Sequence, residues 1–552
     1  MQSRVRFTPT VFPHGRPSPR PVSTAIAVLL AALISQGCRV GPNYTPPAEP
    51  LPDAWNAQIT EGLVEGKSNL HTWWRTLDDP VLDGLIVRAV EGNRDLRVAV
   101  GRVREARARY GFSSGNRFPD VDGVGSYERR SDKVGDFSNQ QERRLTENYY
   151  GSGFDATWEI DVFGRVSRSI ESAEADYQAS IEDYRDVLVS LLADVALNYV
   201  QLRTLQRRLE VVSNNVGTQK GTLRLTINRF EAELVGQLDV RQAEQNLAST
   251  ESFIPALRRG LIAAVNRLSV LIGVPPGELA TELDVVAPIP AGQGPLSVGV
   301  PADLLRQRPD VRSAERTLAA RTAQIGVATA DLYPRFTLSG VFAFEGSSAG
   351  IFKPDGITWG FGPQFRWNIF DGGRIRSLVK VEDARTEQAL SAYEQTVLLA
   401  LEDVENSMVA YEQEKLRRDA LRRSVTAAQQ SVSLVDTLYR TGLVDFQNVL
   451  DTQRTQFNEE DRLAQSEGFV TQNLIRIYRA LGGGWSGEKP PAAAQVVTAP
   501  ATGAASAGLA GVSGTGTDSK SDSATEMARD TAPKPASAEN SATSTSTPSS
   551  DS

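Results

Sequence analysis

The chain is poor in the residues that most often carry chemistry. Its 552 residues include one cysteine, Cys38, and only two histidines, His14 and His71. One cysteine excludes an intramolecular disulfide, and the set is too small for a cysteine- and histidine-based metal centre. The sequence also contains no phosphate-binding loop and no nucleophile elbow. We therefore expect no enzymatic activity, no bound metal and no cofactor.

Positive charge is also in deficit. The 59 lysines and arginines are outnumbered by 67 aspartates and glutamates, which gives a formal net charge of −8. A surface that binds nucleic acid is normally basic, because it must neutralise phosphates. The charge balance therefore argues against a nucleic-acid partner.

The N-terminal segment has the features of an export signal. It opens with Arg4, Arg6, Arg16 and Arg20 and no acid, and an apolar run follows from Val22 to Ile34. That run, of about 13 residues, is shorter than the roughly 20 that a membrane-spanning helix needs. We expect residues 1–37 to be a signal peptide that is removed after export.

The only cysteine follows this segment directly. Ser35-Gln36-Gly37-Cys38 resembles the lipobox of bacterial lipoproteins, although Ser35 and Gln36 depart from its usual residues. The resemblance implies that Cys38 becomes an acylated (palmitate-bearing) N-terminus. The alternative is a lone thiol that happens to follow the signal.

The C-terminal end is low in large apolar residues. Residues 486–552 are mostly alanine, serine, threonine, glycine and proline. A segment of this composition cannot bury enough apolar surface to offset the entropy of ordering it. We expect a disordered tail after an ordered body.

The body is a tandem duplication. Asp95 matches Asp310 at a sequence offset of 215, and Trp158 matches Trp367 at an offset of 209. Further pairs at these offsets are Gly111 and Gly326, Pro119 and Pro334, Gly125 and Gly340, Gly164 and Gly373, Arg165 and Arg374, and Tyr184 and Tyr393. Each half is predicted to run helix, strand pair, long helix, helix, with the change of offset in a surface loop.

Three segments, one in the first half and two in the second, alternate between apolar and polar residues, the pattern of a strand with one apolar face. We expect strand pairs at 119–160 and 334–370, with polar loops at 130–148 and 346–356. Strands of about 10–12 residues suit a tilted membrane crossing. The apolar faces are Tyr150, Phe154, Ala156, Trp158 and Ile160; Phe336, Leu338, Phe342 and Phe344; and Phe361, Pro363, Phe365, Trp367 and Ile369.

The number of strands limits how this chain could form a membrane barrel. In lipid a sheet must close so that no backbone edge is exposed, and the smallest single-chain barrels have eight strands. A membrane barrel therefore requires an oligomer, and a trimer would supply twelve strands. An ordinary soluble sheet with one core face is the alternative at this point.

Long helices are predicted after each strand pair. Residues 165–229 and 374–440 contain no proline, and shorter helical stretches follow at 235–271 and 445–481. About 65 residues of helix span on the order of 100 Å. The predicted periplasmic regions are 38–118, 161–333 and 371–485. A coiled-coil seam is predicted at Leu188, Leu192, Val195, Tyr199, Leu202, Leu209, Val212 and Val216.

Three stretches resemble the TolC-type outer-membrane factors, in particular their NodT branch. They are residues 38–47 (CRVGPNYTPP), residues 308–340 (beginning RPDVRSAER and ending DLYPRFTLSG) and residues 439–454 (YRTGLVDFQNVLDTQR). The resemblance runs from residue 38 to about 484. It implies a membrane β-barrel joined to a long α-helical coiled-coil barrel: a homotrimer, anchored in the outer membrane, with a twelve-helix tunnel in the periplasm. It also implies that a periplasmic adaptor and an inner-membrane pump dock at the far tip and open a gate.

The resemblance assigns candidate gate residues near that tip. Asp451 and Asn448 match acidic gate positions, with asparagine replacing the acid at the second, and their spacing places both on one helix face. A trimer would make Asp451 a ring of three carboxylates, which favours cations in a pore. Tyr439 matches a position that latches the closed state, although a core tyrosine fits the same sequence.

Apolar residues at the two helix turns are candidate docking sites for the adaptor, because exposed apolar patches often mark partner surfaces. Packing within each hairpin is the alternative. Glu233 and Gly236 depart from the family's usual glycine and small polar residue in the first turn. The candidate docking residues are Leu234, Val235, Gly236, Leu443, Val444 and Asp445.

The sequence thus predicts a passive outer-membrane duct for substrates delivered by a separate pump. Two alternatives remain open: a non-conducting structural lipoprotein that spans the periplasm, and a type I protein-secretion duct. The alternating strands favour a duct, because a structural rod has no use for them. The sequence does not identify the substrate, the adaptor or the pump.

Overall fold

A computed structural model of the chain describes residues 39–47, 52, 54–56, 63–65, 70–136, 141–292, 296–298, 307–347 and 356–486. The predicted signal peptide, Cys38 and residues 487–552 of the predicted tail lie outside the described residues.

The first half contains three strands and six α-helices in the described residues. They are β1 (Leu63–Glu65), a 3-10 helix (Leu70–Leu77), α1 (Pro80–Gly92), α2 (Arg94–Gly115), β2 (Asp120–Asp136), β3 (Gln141–Ile160), α3 (Arg165–Glu231), α4 (Gln237–Glu251), α5 (Phe253–Ile272) and α6 (Ala280–Leu283).

The second half repeats the main elements. They are β4 (Leu296–Val298), α7 (Pro309–Ala330), β5 (Arg335–Gly346), β6 (Ile357–Arg366), α8 (Arg374–Arg440) and α9 (Phe446–Ala480). Both ends of α7 follow those of α2 at the offset of 215, and both ends of α8 follow those of α3 at the offset of 209. The predicted duplication is therefore confirmed, and it holds to the residue in these two pairs of helices.

The duplication extends to the contacts that fix the helix ends. Asn93 Nδ2 donates to Leu271 O at 2.8 Å, and Arg308 Nη1 donates to Ala480 O at 2.7 Å. These two pairs stand at the same offsets from each other as the helices do. This bond ties the start of α2 to the end of α5 in the first half, and the start of α7 to the end of α9 in the second.

The described strands form one four-stranded antiparallel sheet in the order β2-β3-β5-β6 and a separate two-stranded parallel sheet of β1 with β4. The predicted apolar faces coincide, since Trp158 pairs with Leu338 and Phe336 with Phe365. Large aromatic side chains on this face are exposed, including Phe361 and Trp359. The described sheet keeps two free edges, β2 and β6.

The strand lengths differ from the prediction in two places. The first hairpin continues to Asp136 and resumes at Gln141, through residues predicted to be a loop, because polar cross-strand pairs such as Ser131 with Thr146 extend the ladder. The last strand ends at Arg366 rather than at 369. Its one hydrogen-bonded neighbour, β5, begins at Arg335, so residues beyond Arg366 find no ladder partner in a single chain.

The helical core is built around α3. Six of the eight predicted seam residues are buried, and Leu188 and Leu209 pack partly buried against the same cluster. One 18-residue stretch of α3 is long and apolar enough to cross a membrane, but 61% of it is buried inside the molecule, as in a core helix. By contrast, α8 leaves Leu398, Leu416 and Leu434 exposed.

The helical stretch predicted at 235–271 is interrupted. It consists of α4 and α5, with a break at Ser252. Pro255 lacks a backbone N–H and crowds the preceding turn, which accounts for an interruption at this point. Its counterpart in the second half, α9, has no proline and is continuous.

The described N-terminal segment is held at the junction between the sheet and the helices. Arg168, almost fully buried on α3, donates to Val40 O, Gly41 O and Asn43 Oδ1. A Cβ on Gly164 would approach Arg39 Cα to 2.9 Å, so only glycine allows this close packing. Residue 39 therefore lies where β3 passes into α3.

Replacing Asn93 with alanine should lower the free energy of unfolding of the ordered body by about 2 kcal/mol. The change removes the N-cap bond that Leu96 N donates to Asn93 Oδ1, and it leaves the buried Leu271 O without its donor. Thermal unfolding followed by circular dichroism measures the effect. Asn116→Ala, at the exposed end of α2, is the matched control. Equal behaviour of the two variants would contradict the role given to Asn93.

Candidate functional site at the helix tips

The two helix turns far from the sheet share one backbone geometry. Leu234 N donates to Arg229 O at 2.8 Å, and Leu443 N donates to Leu438 O at 2.9 Å, as in a Schellman ending. The turn residue is left-handed in both, with φ 59° at Glu233 and 78° at Gly442. Glutamate thus occupies a conformation that glycine adopts at lower cost.

The tip residues divide into two groups. Leu234 and Leu443 are 68% and 72% exposed. Val235 and Val444 are half-buried, and Val444 packs against the tip cluster defined below. The remaining two predicted docking residues, Gly236 and Asp445, are exposed. The leucines are therefore accessible to a partner, whereas Val444 packs within the molecule.

A small apolar cluster lies just behind the second tip. We call it the tip cluster; its buried members are Ala243, Tyr439, Phe446, Val449 and Leu450. The rings of Tyr439 and Phe446 lie 5.5 Å apart between centroids. The cluster joins α4 of the first hairpin to α8 and α9 of the second.

Tyr439 is one of the buried members of this cluster and is 2% exposed. The Arg229 guanidinium lies over its ring at 4.5 Å and donates to its backbone oxygen at 2.5 Å. Its hydroxyl is buried without a well-formed hydrogen bond among the described residues. Burial raises the pKa of Tyr439, with Thr226 and Arg229 opposing the shift. Within one chain, Tyr439 is thus a core tyrosine.

Asn448 and Asp451 are both exposed on α9. They face away from Phe446, Val449 and Leu450, which enter the tip cluster. Gln447 Nε2 donates to Asp451 Oδ1 at 2.9 Å. The structure thus brings both predicted gate residues to one free face of the second hairpin.

The two tips carry an acid and an amide in opposite order. At the offset of 209, Asn448 corresponds to Asp239 and Asp451 corresponds to Gln242. Partial burial raises the pKa of Asp239, the Asp445 carboxylate raises it further and Arg229 opposes both. The acid of the first tip is therefore half-buried, whereas the acid of the second is exposed.

The sequence did not indicate the polar contacts that tie the two hairpins together. Gln453 Nε2 donates to Thr222 Oγ1 at 2.8 Å, and Arg454 Nε donates to Asn246 Oδ1 at 3.0 Å. Arg229 adds the bond to Tyr439 described above. Nothing in the spacing of these residues separates them from other polar residues on long helices. These contacts hold the second hairpin against the first near the tips.

Residues 85–274 and 300–483 match the family model of outer membrane efflux proteins. The chain belongs to the outer membrane efflux protein family. The two matched ranges are the two halves of the duplication, and the expected TolC-type fold and NodT branch are confirmed.

Known members resemble this outer membrane efflux protein over most of their length. Nodulation protein T of Rhizobium leguminosarum bv. trifolii is 32% identical over 454 residues, 82% of this chain and 94% of that protein. The solvent efflux pump outer membrane protein SrpC of Pseudomonas putida is 30% identical, covering 83% of this chain and 98% of its own. The solved outer-membrane channel OprN is 37% identical, with a TM-score of 0.76 over 81% of this chain and all of its own. The protein is therefore an outer-membrane efflux channel.

Replacing Glu233 with glycine should stabilise the first tip by about 1 kcal/mol, because glycine adopts the left-handed conformation without a Cβ clash. The measurement is the midpoint of thermal unfolding. Gly442→Ala at the equivalent turn should lower that midpoint by a similar amount. If Glu233→Gly lowered it instead, the assignment of strain to the first tip would be wrong.

Proposed function

We propose that three copies of this chain form a passive duct that crosses the outer membrane and extends into the periplasm. The observation that supports this proposal most strongly is the open four-stranded sheet. It is apolar and aromatic on one face and is joined directly to helices of 67 residues. Such a sheet is stable in lipid only if other copies close it. Three copies give twelve strands, enough for a barrel with a lumen.

The partners are a periplasmic adaptor and an inner-membrane pump, which supplies the energy. The exposed leucines Leu234 and Leu443 support adaptor docking at the tips, since paired apolar side chains at helix ends suit contact with another protein. The relative named as a solvent efflux pump protein supports small molecules as cargo, in preference to protein secretion. Family membership also argues against a non-conducting rod.

Lipid attachment at Cys38 is supported by the place of its neighbour. Arg39 packs against Gly164, directly below the strand pair. A lipid on the preceding residue would start at the periplasmic side of the sheet and could enter the inner leaflet of the outer membrane. The buried Arg168 would fix this starting point.

Cys38→Ser should abolish metabolic labelling with palmitate, because acylation needs the cysteine thiol and the amine freed by cleavage. Labelling of the wild-type protein and of the variant, at equal expression, is the measurement. Label that persists in the variant would place the lipid elsewhere and contradict the anchor.

The gate is proposed at the free face of the second hairpin. Three copies of Asp451 would form a carboxylate ring with Asn448 beside it, which attracts cations and narrows the passage. Opening would move α8 and α9 away from α3 and α4, which requires breaking the Arg229, Gln453 and Arg454 contacts. The adaptor would supply the free energy by binding the moved hairpin more tightly.

Asp451→Ala should raise single-channel conductance in planar bilayers and reduce cation preference, because it widens the ring and removes its charge. Wild-type channels should show small, mostly closed, cation-preferring steps. Glu231→Ala, an exposed acid at the end of α3, is the control and should leave both quantities unchanged. Wild-type conductance in the Asp451 variant, with trimers intact, would remove Asp451 from the gate.

A further inference from the structure

Two pairs of like charges lie directly opposite each other in the sheet. Asp122 on β2 is paired with Asp155 on β3, and Arg335 on β5 is paired with Arg366 on β6. All four point to the polar face, opposite the aromatic side chains. Like charges directly opposite each other destabilise a sheet, so each pair needs a compensating partner.

The described part of the chain supplies only one such partner. Arg335 forms an ion pair with Asp331. Asp122, Asp155 and Arg366 are exposed, and none of their side chains forms a hydrogen bond or ion pair with any described residue. The acidic pair adjoins one free edge of the sheet, β2, and the basic pair adjoins the other, β6.

The duplication predicts how a second copy would meet these edges. Adding the offsets 215 and 209 to the pair Asp120 and Thr157 gives Arg335 and Arg366, which is the observed pairing of β5 with β6. Adding 209 to the residues of β3 and subtracting 215 from those of β5 turns the contact between halves, β3 with β5, into a contact of β6 with β2 of the next copy. The two hairpins are thus equivalent units of one repeating ladder.

The register of that next contact follows by arithmetic. Glu159 opposite Thr337 becomes Asn368 opposite Asp122 of the partner subunit. Thr157 opposite Ser339 becomes Arg366 opposite Val124 of the partner subunit. Arg366 then lies diagonally next to the partner's Asp122, within reach of a long side chain on the same face.

We propose that Arg366 of one protomer and Asp122 of the partner subunit form an ion pair that sets the register between copies. The proposal rests on the proposed trimer and adds the residues that align it. The basic pair and the acidic pair then compensate each other across the seam. A slip of one residue would turn the polar face outwards, and a longer slip would separate the charges.

Charge reversal tests the pair. Arg366→Glu and Asp122→Arg should each lower the temperature at which trimers dissociate in detergent, and the double variant should return it towards the wild-type value. Glu128→Arg is the matched control, because the same register places Glu128 opposite Gly362 of the neighbouring copy; it should have little effect. The loss caused by the single variants should shrink in high salt, since exposed charges are screened.

Disulfide formation tests the register independently of the charges. Asp122→Cys with Asn368→Cys should give covalently linked chains on oxidation, whereas Asp122→Cys with Gln364→Cys, four residues out of register, should not. Wild-type protein gives the background from Cys38. Stable wild-type trimers without rescue by the double reversal, or with linkage only through residue 364, would overturn this proposal and leave the duct intact. Wild-type protein that is monomeric would overturn both.

Discussion

The closure of the sheet is the constraint on which the rest of the structure depends. A sheet in hydrocarbon cannot leave backbone N–H and C=O groups unpaired, because each would cost several kcal/mol. The described chain supplies four strands and two free edges, β2 and β6. Its aromatic face suits lipid, but its edges do not. The chain is therefore complete as a membrane element only in combination with other copies.

The helices also leave an apolar surface uncovered in a single chain. The duplicated helices α3 and α8 have equal lengths, yet α3 buries several times as many of its side chains as α8 does. Leucines along α8 remain exposed, as they would on a helix whose neighbour belongs to another subunit. Another copy of the chain would cover both the free edge of the sheet and the exposed face of α8. One head-to-tail contact between copies can satisfy both.

Much of this architecture could be predicted from the sequence. Period-two alternation and long proline-free stretches predicted the strands and helices, and the matched Asp95 and Asp310 revealed the duplication that sets their order. Three features were not predicted. The first hairpin extends through polar residues that resemble a loop, and β6 ends at Arg366 because β5, its one hydrogen-bonded neighbour in the described chain, begins at Arg335. The third, the break between α4 and α5, had a signal in the sequence, since the interior of a helix does not accommodate Pro255.

The candidate site was predictable in part. The turn residues and the exposed face with Asn448 and Asp451 followed from the matched motif and helical spacing. The ties made by Arg229, Gln453 and Arg454 did not, since they join residues about 210 to 230 positions apart with no local signal. The packing of Tyr439 within one chain likewise depends on a contact that the fold creates, between its ring and that of Phe446.

The most direct test of the account is the native mass of the purified protein in detergent, with bound detergent subtracted. We expect a mass of three chains, because three four-stranded sheets close a twelve-stranded barrel. A monomer that remains folded, with its helical content intact, would contradict the account. It would mean that the two sheet edges are satisfied in some way other than by neighbouring copies.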